Sequence, residues 1–110
     1  MNTKEIYNAQ LNVSKFYNTE TIQDLLSRLS YISDSVFYNI GHRAIVIKNT
    51  TPANEEDDYI IKEILKQWLR SLPADYNDIE TMIHYSDYIF NITKLGYPNL
   101  DKHDIIIYLH

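Results

Sequence analysis

The stretch GHRAIVIK, residues 41–48, decides the fold. Ala44, Ile45, Val46 and Ile47 form an apolar, mostly β-branched run between charged ends, which predicts a central strand covered on both faces. A matching run, Ile105-Ile106-Ile107-Tyr108-Leu109, is bounded by His103 and His110 and predicts a closing strand that pairs with residues 43–48. The other apolar residues recur mainly at helical spacing. The expected architecture is therefore α+β: a single helix-dominated domain over residues 1–110, with three to four amphipathic helices packed on a small two- or three-stranded sheet.

Toward the amino terminus, Ile22, Leu25, Leu26, Leu29, Ile32, Val36 and Ile40 define one apolar stripe. The spacing predicts a helix over 19–40, capped by Asn18 or Thr19 and stopped at Gly41. Residues 1–17 read as a helix over 3–10 through Ile6, Tyr7 and Leu11, with a short strand through Leu11, Val13 and Phe16-Tyr17 as the alternative. Toward the carboxyl terminus, residues 49–53 predict a turn, after which Asn54 caps a helix whose stripe is Ile60, Ile61, Ile64, Leu65, Trp68, Leu69 and Leu72. Pro73 ends it by removing an amide donor. A third helix is expected from Asp75 to Leu95, stopped by Gly96 and Pro98, with Ile79, Met82, Ile83, Ile89 and Phe90 inward and Tyr76 and Tyr85 on its margins.

A chain of 110 residues can bury a core of its own without staples, and the absence of cysteine excludes disulfides and thiolate chemistry. No stretch approaches the roughly 20 apolar residues of a membrane helix, and no secretory leader pattern opens the chain, so the cytoplasm is the expected compartment. The net charge of −5 is uneven. Residues 1–53 carry four acids and five bases, whereas residues 54–110 carry eleven acids and five bases. Such a surface repels a phosphate backbone and suits a protein partner with a basic surface, so no direct nucleic-acid contact and no membrane contact are expected.

The acid run Glu55 to Asp58 is matched by Lys62, Lys66 and Arg70 further along the same helix, the charge arrangement that a helix dipole favours. It lacks the alternating Asp/Asn positions and central glycine of a calcium loop. On the third helix Glu80, His84, Asp87 and Asn91 fall in one line, with Tyr88 alongside. That line reads as a solvated face with local Glu-His and His-Asp pairs, as a docking face, or as part of a zinc site; one helix supplies too few ligands for the last. No catalytic set, phosphate loop or cofactor motif can be assembled, so the expected protein is not an enzyme and holds neither cofactor nor metal. Trp68 lies within an apolar stripe and is expected in the core.

What stands out is tyrosine beside carboxylate. Tyr31 and Tyr38 flank Asp34 on the polar side of the expected first helix; Tyr59 projects from the second; Tyr85 and Tyr88 flank Asp87 on the third. Exposed tyrosine grips a partner at low entropic cost. The expected partner-binding residues are Tyr31, Asp34, Tyr38, Glu80, His84, Asp87 and Tyr88. In character the chain resembles bacterial immunity proteins and phage-encoded blockers of host defence, anti-CRISPR proteins among them, which are compact, often acidic and non-enzymatic. Its closing segment, Asp104 to Leu109, is similar to the last strand of barstar-type inhibitors, but the tyrosine-glycine-asparagine-leucine helix start of that family has no equivalent here. These likenesses imply an inhibitor or antidote whose partner is a nuclease or nucleic-acid-processing complex. The alternative is an adaptor that self-associates, as a homodimer or larger assembly, through the Tyr31/Tyr38 face.

Overall fold

A computed structural model describes residues 2–48, 55–93 and 103–109. Its elements are α1 (Thr3–Ser14), α2 (Thr19–Leu29), β1 (Val36–Asn39), β2 (Ala44–Ile47), α3 (Glu55–Ser71), α4 (Tyr76–His84), α5 (Ser86–Ile89), β3 (Phe90–Thr93) and β4 (Ile105–Leu109). The strands form one sheet in the order β1-β2-β4-β3, with every neighbouring pair antiparallel. The α+β architecture is the expected one, with four strands in place of two or three.

The two runs chosen from sequence are the sheet's central strands. Ile45 lies opposite Ile107 and Ile47 opposite Ile105. Because side chains alternate along a strand, these four face the helices, together with Leu109 and Phe90. Val46 and Ile106 point to the other face and are buried there too. At the end of this strand pair, Lys48 reaches the fully buried carboxylate of Asp104, an ion pair at 3.1 Å rather than a directed hydrogen bond.

The helices cover the first face. In α1 the Asn2 side chain accepts from the Lys4 amide at 3.0 Å, and Ala9 and Val13 are fully buried, so the helical reading of the amino terminus holds and extends to Ser14. A reciprocal capping box between Asn18 and Thr21 starts α2. From α3, Ile61, Leu65, Trp68, Leu69 and Leu72 enter the core as their spacing predicts. The Trp68 indole donates to the Thr21 carbonyl at 2.9 Å, stacks on Tyr17 at 6.0 Å and meets the edge of Phe90 at 6.1 Å. It is the packing centre that joins α2, α3 and β3.

Two expected helices are cut short. The first ends at Leu29 instead of Ile40. Beyond it, Ser30, Ser33, Asp34 and Ser35 offer the backbone side-chain partners that compete with helical bonds. The Ser30 hydroxyl donates to the Ser27 carbonyl at 2.6 Å, and the Ser33 hydroxyl donates to the Lys48 carbonyl. Val36-Phe37-Tyr38-Asn39 then pairs with β2, where its branched and aromatic side chains suit a pleated surface. Gly41 consequently belongs to a hairpin connection and ends no helix, and the left-handed position falls on Arg43, at φ 49°. Ile40, expected in the core, is 81% exposed at the tip.

The third helix stops at His84. Tyr85 leaves helical geometry (φ −99°, ψ 14°), α5 adds a single turn, and Phe90–Thr93 becomes an edge strand against β4. In both cases a short apolar stretch with helical spacing was recruited by a strand whose backbone needed a partner. The expected turn at 49–53, the Asn54 cap, the Leu95-Gly96-Pro98 terminator and His110 lie outside the described residues.

Candidate protein-binding groove

Helices α1 and α4 pack side by side, and a long open furrow runs between them. One stretch, about 490 Å³, is lined by Asn12, Lys15, Phe16, Asp75, Asp78 and Met82. The adjoining stretch, about 630 Å³, is lined by Glu5, Asn8, Asp78, Glu80, His84 and Tyr85, so Asn12 and Asp78 belong to both. Among the described residues the furrow carries four carboxylates, Glu5, Asp75, Asp78 and Glu80, against the single ammonium of Lys15.

One carboxylate is held in place. The Tyr85 hydroxyl donates to Glu5 Oε2 at 2.5 Å, a bond between residues 80 positions apart in sequence that ties α1 to the α4–α5 break. The bond to Glu5, together with desolvation of the ring and the charge of Glu5 and Tyr88, pushes the Tyr85 pKa up from 10.0. His84 lies edge-on against the Tyr85 ring at 4.8 Å, and Tyr88 lies 6.5 Å from it. A phenol that stays protonated and a carboxylate that accepts from it form a stiff rim, the kind of preorganisation that lowers the ordering penalty of binding.

Of the residues expected to bind a partner, Glu80 and His84 line this furrow and are exposed. Asp87 and Tyr88 lie past the break on α5, so the expected straight line from Glu80 through Asn91 does not form. Asp87 instead approaches Lys62 of α3 at 3.9 Å, and the Tyr88 carbonyl accepts from the Gln10 amide group at 3.2 Å. Asn91 is in β3. Tyr31, Asp34 and Tyr38 share no helix face: Tyr31 follows α2 and is 83% exposed, Asp34 is exposed in the link to β1, and Tyr38 is half-buried on the helix-covered face of the sheet opposite Ile45. Sequence reasoning passed over Glu5, Asp75 and Asp78. Asp75 and Asp78 are one helical turn apart and were readable as a pair, but nothing in the sequence places Glu5 beside them.

Among the described residues no group of three histidines or acids is arranged to hold a metal ion, and no helix is long and apolar enough to cross a membrane. No family model, curated protein or solved structure matches the chain.

Proposed function

We propose that this is a small, non-enzymatic cytoplasmic inhibitor or antidote that covers a basic, nucleic-acid-binding surface of another protein. The observation that supports it best is the acidic furrow between α1 and α4, four carboxylates on two packed helices with one of them clamped by Tyr85. Acids on successive helical turns repeat about every 5 Å, comparable with the axial repeat of roughly 3.4 Å per phosphate of a DNA strand, so arginines and lysines that hold a nucleic-acid backbone find comparable acceptors here. Tyr76 at the head of α4 and Tyr88, whose ring lies 6.5 Å from that of Tyr85, are exposed and available as aromatic contacts.

The test begins with affinity capture from the native host, which identifies the partner, and continues with its association rate at low salt. Reversing Asp78 and Glu80 together to lysine is expected to slow association at least about tenfold, because complementary charge chiefly steers encounter. Both residues are exposed, and Asp78 lies in the first turn of α4, so the fold should lose no more than about 1 kcal/mol. A double variant that associates as fast as wild type refutes the reading, as does a captured partner whose contact surface is acidic.

A further inference from the structure

The hairpin that joins β1 to β2 turns at Ile40-Gly41-His42-Arg43, and this tip is held by three hydrogen bonds. The Arg43 amide donates to the Ile40 carbonyl at 3.3 Å, the His42 amide to Asn39 Oδ1 at 3.1 Å, and the Leu109 amide to the Arg43 carbonyl at 2.9 Å. The closing position is left-handed, at φ 49°, where glycine, asparagine or aspartate would sit with less strain. Arginine stands there instead, the one non-glycine residue with positive φ among the described residues. A strained position that keeps a long cationic side chain in open solvent points to function rather than to the fold. Arg43 is exposed, and no acid pairs with it among the described residues. Ile40, at the other end of the turn, is 81% exposed. The ends of such a turn lie within about 7 Å of each other, so the tip offers a cation and a branched apolar side chain together.

A surface that accepts this pair needs carboxylates next to an apolar wall. The α1–α4 furrow has both. In the stretch lined by Glu5, Asp78 and Glu80 no ammonium opposes the carboxylates among the described residues, and the adjoining stretch, which shares Asp78, includes Phe16 and Ala74. We propose that the tip of one copy docks in the furrow of a second copy, with Arg43 among Glu5, Asp78 and Glu80 and Ile40 against Phe16 and Ala74. Arg43 pairs with none of these acids in its own chain, so the contact requires the second copy. Tip and furrow are different surfaces, which makes the contact heterologous. The proposal rests on the reading above that the furrow receives cations, and it adds a form of regulation: a self-docked copy covers the acids that a partner would use, and the chain masks its own furrow as its concentration rises.

Sedimentation of the full chain over a roughly hundredfold range of concentration tests it, since a contact this small belongs to the weaker class of interfaces. The mean mass should rise above 13.0 kDa. Ile40→Ser/Arg43→Asn, in which asparagine tolerates the left-handed backbone, and Asp78→Lys/Glu80→Lys should each weaken association at least about tenfold. Mixed in equal amounts, the two variants supply one intact furrow and one intact tip per pair, so they should associate again and stop at twice 13.0 kDa. A wild-type chain that stays monomeric throughout overturns the proposal. So does association that survives either double variant, or a mixture of the two that stays monomeric. The function proposed above fails separately. The tip variant keeps its furrow and should bind the captured partner at least as fast as wild type. A chain that binds the partner through the furrow but never binds itself overturns the self-docking alone, and a partner indifferent to Asp78→Lys/Glu80→Lys overturns the proposed function alone.

Discussion

Tyr17→Phe should stabilise this protein, by an amount that grows with pH. The ring is held between the end of α1 and Trp68, stacked at 6.0 Å, and its hydroxyl is buried with no hydrogen-bond partner among the described residues. A hydroxyl removed from water without a partner costs about 1–3 kcal/mol, whereas phenylalanine keeps the ring contacts; a net gain of about 1 kcal/mol is expected at neutral pH. With an unfolding entropy of about 2.1 cal/mol/K per residue, the chain has about 0.23 kcal/mol/K, so that gain raises the melting midpoint by about 4 °C. Burial, with a smaller contribution from Tyr38, also holds the Tyr17 pKa far above its ordinary value of 10.0. A folded-state pKa raised above the unfolded one leaves stability intact below pH 10.0, and the contribution is lost as pH rises through and beyond that value. In wild type each further pH unit therefore removes about 1.4 kcal/mol, a loss from which the phenylalanine variant is exempt. Denaturant unfolding of both proteins at about pH 8 and about pH 11 measures this, and the gap should widen from about 1 to about 2.4 kcal/mol. Tyr85 titrates in the same direction but is present in both proteins and cancels. A variant less stable than wild type at pH 8 would show that the hydroxyl is satisfied, and a gap that does not widen would show that it ionises in place.

Trp68→Ala should cost about 3–5 kcal/mol, enough to unfold a marginal domain, because it empties the centre shared by α2, α3 and β3; calorimetry or loss of the far-ultraviolet helical signal checks it. The Lys48–Asp104 pair should respond asymmetrically in urea melts: Lys48→Met strands a fully buried carboxylate and should cost up to about 3–5 kcal/mol, whereas Asp104→Asn leaves a lysine that is already one-third exposed and should cost less. Tyr85→Phe should lower the melting temperature, and the loss should be present at neutral pH and shrink above pH 10.0, where the wild-type phenol's own contribution fades. Asp78→Lys/Glu80→Lys should slow the partner's association and lower stability by no more than about 1 kcal/mol, the cost of a cation in the first turn of α4.

Much of the framework was legible from local pattern. The apolar runs at 44–47 and 105–109 became paired central strands because fully buried strands read as continuous apolar sequence. The stripe from Ile61 to Leu72 and the place of Trp68 followed from helical periodicity over enough turns to leave no other reading. The edge strands escaped. Val36 and Ile40, like Ile89 and Phe90, keep helical spacing with the residues before them, and over four residues a helical period and a strand period fit equally well. Only the unsatisfied flanks of β2 and β4 decided the matter, since a central strand must find partners for its backbone on both sides.

The candidate site divides the same way. Charge asymmetry between the halves of the chain, and the acids of α4, were sequence facts. That Glu5 faces Asp78 and Glu80 across a furrow, and that Tyr85 clamps it, depends on α1 packing against α4, a contact between segments some 80 residues apart. Tyr31 and Tyr38, grouped by a helix assumed to continue, were separated by the turn that the serines impose. Composition and periodicity determine most of the core, whereas the exposure of Ile40, the burial of Asp104 and which exposed groups stand beside one another are decided by how the elements pack, because side chains distant in sequence are brought together only when the core closes.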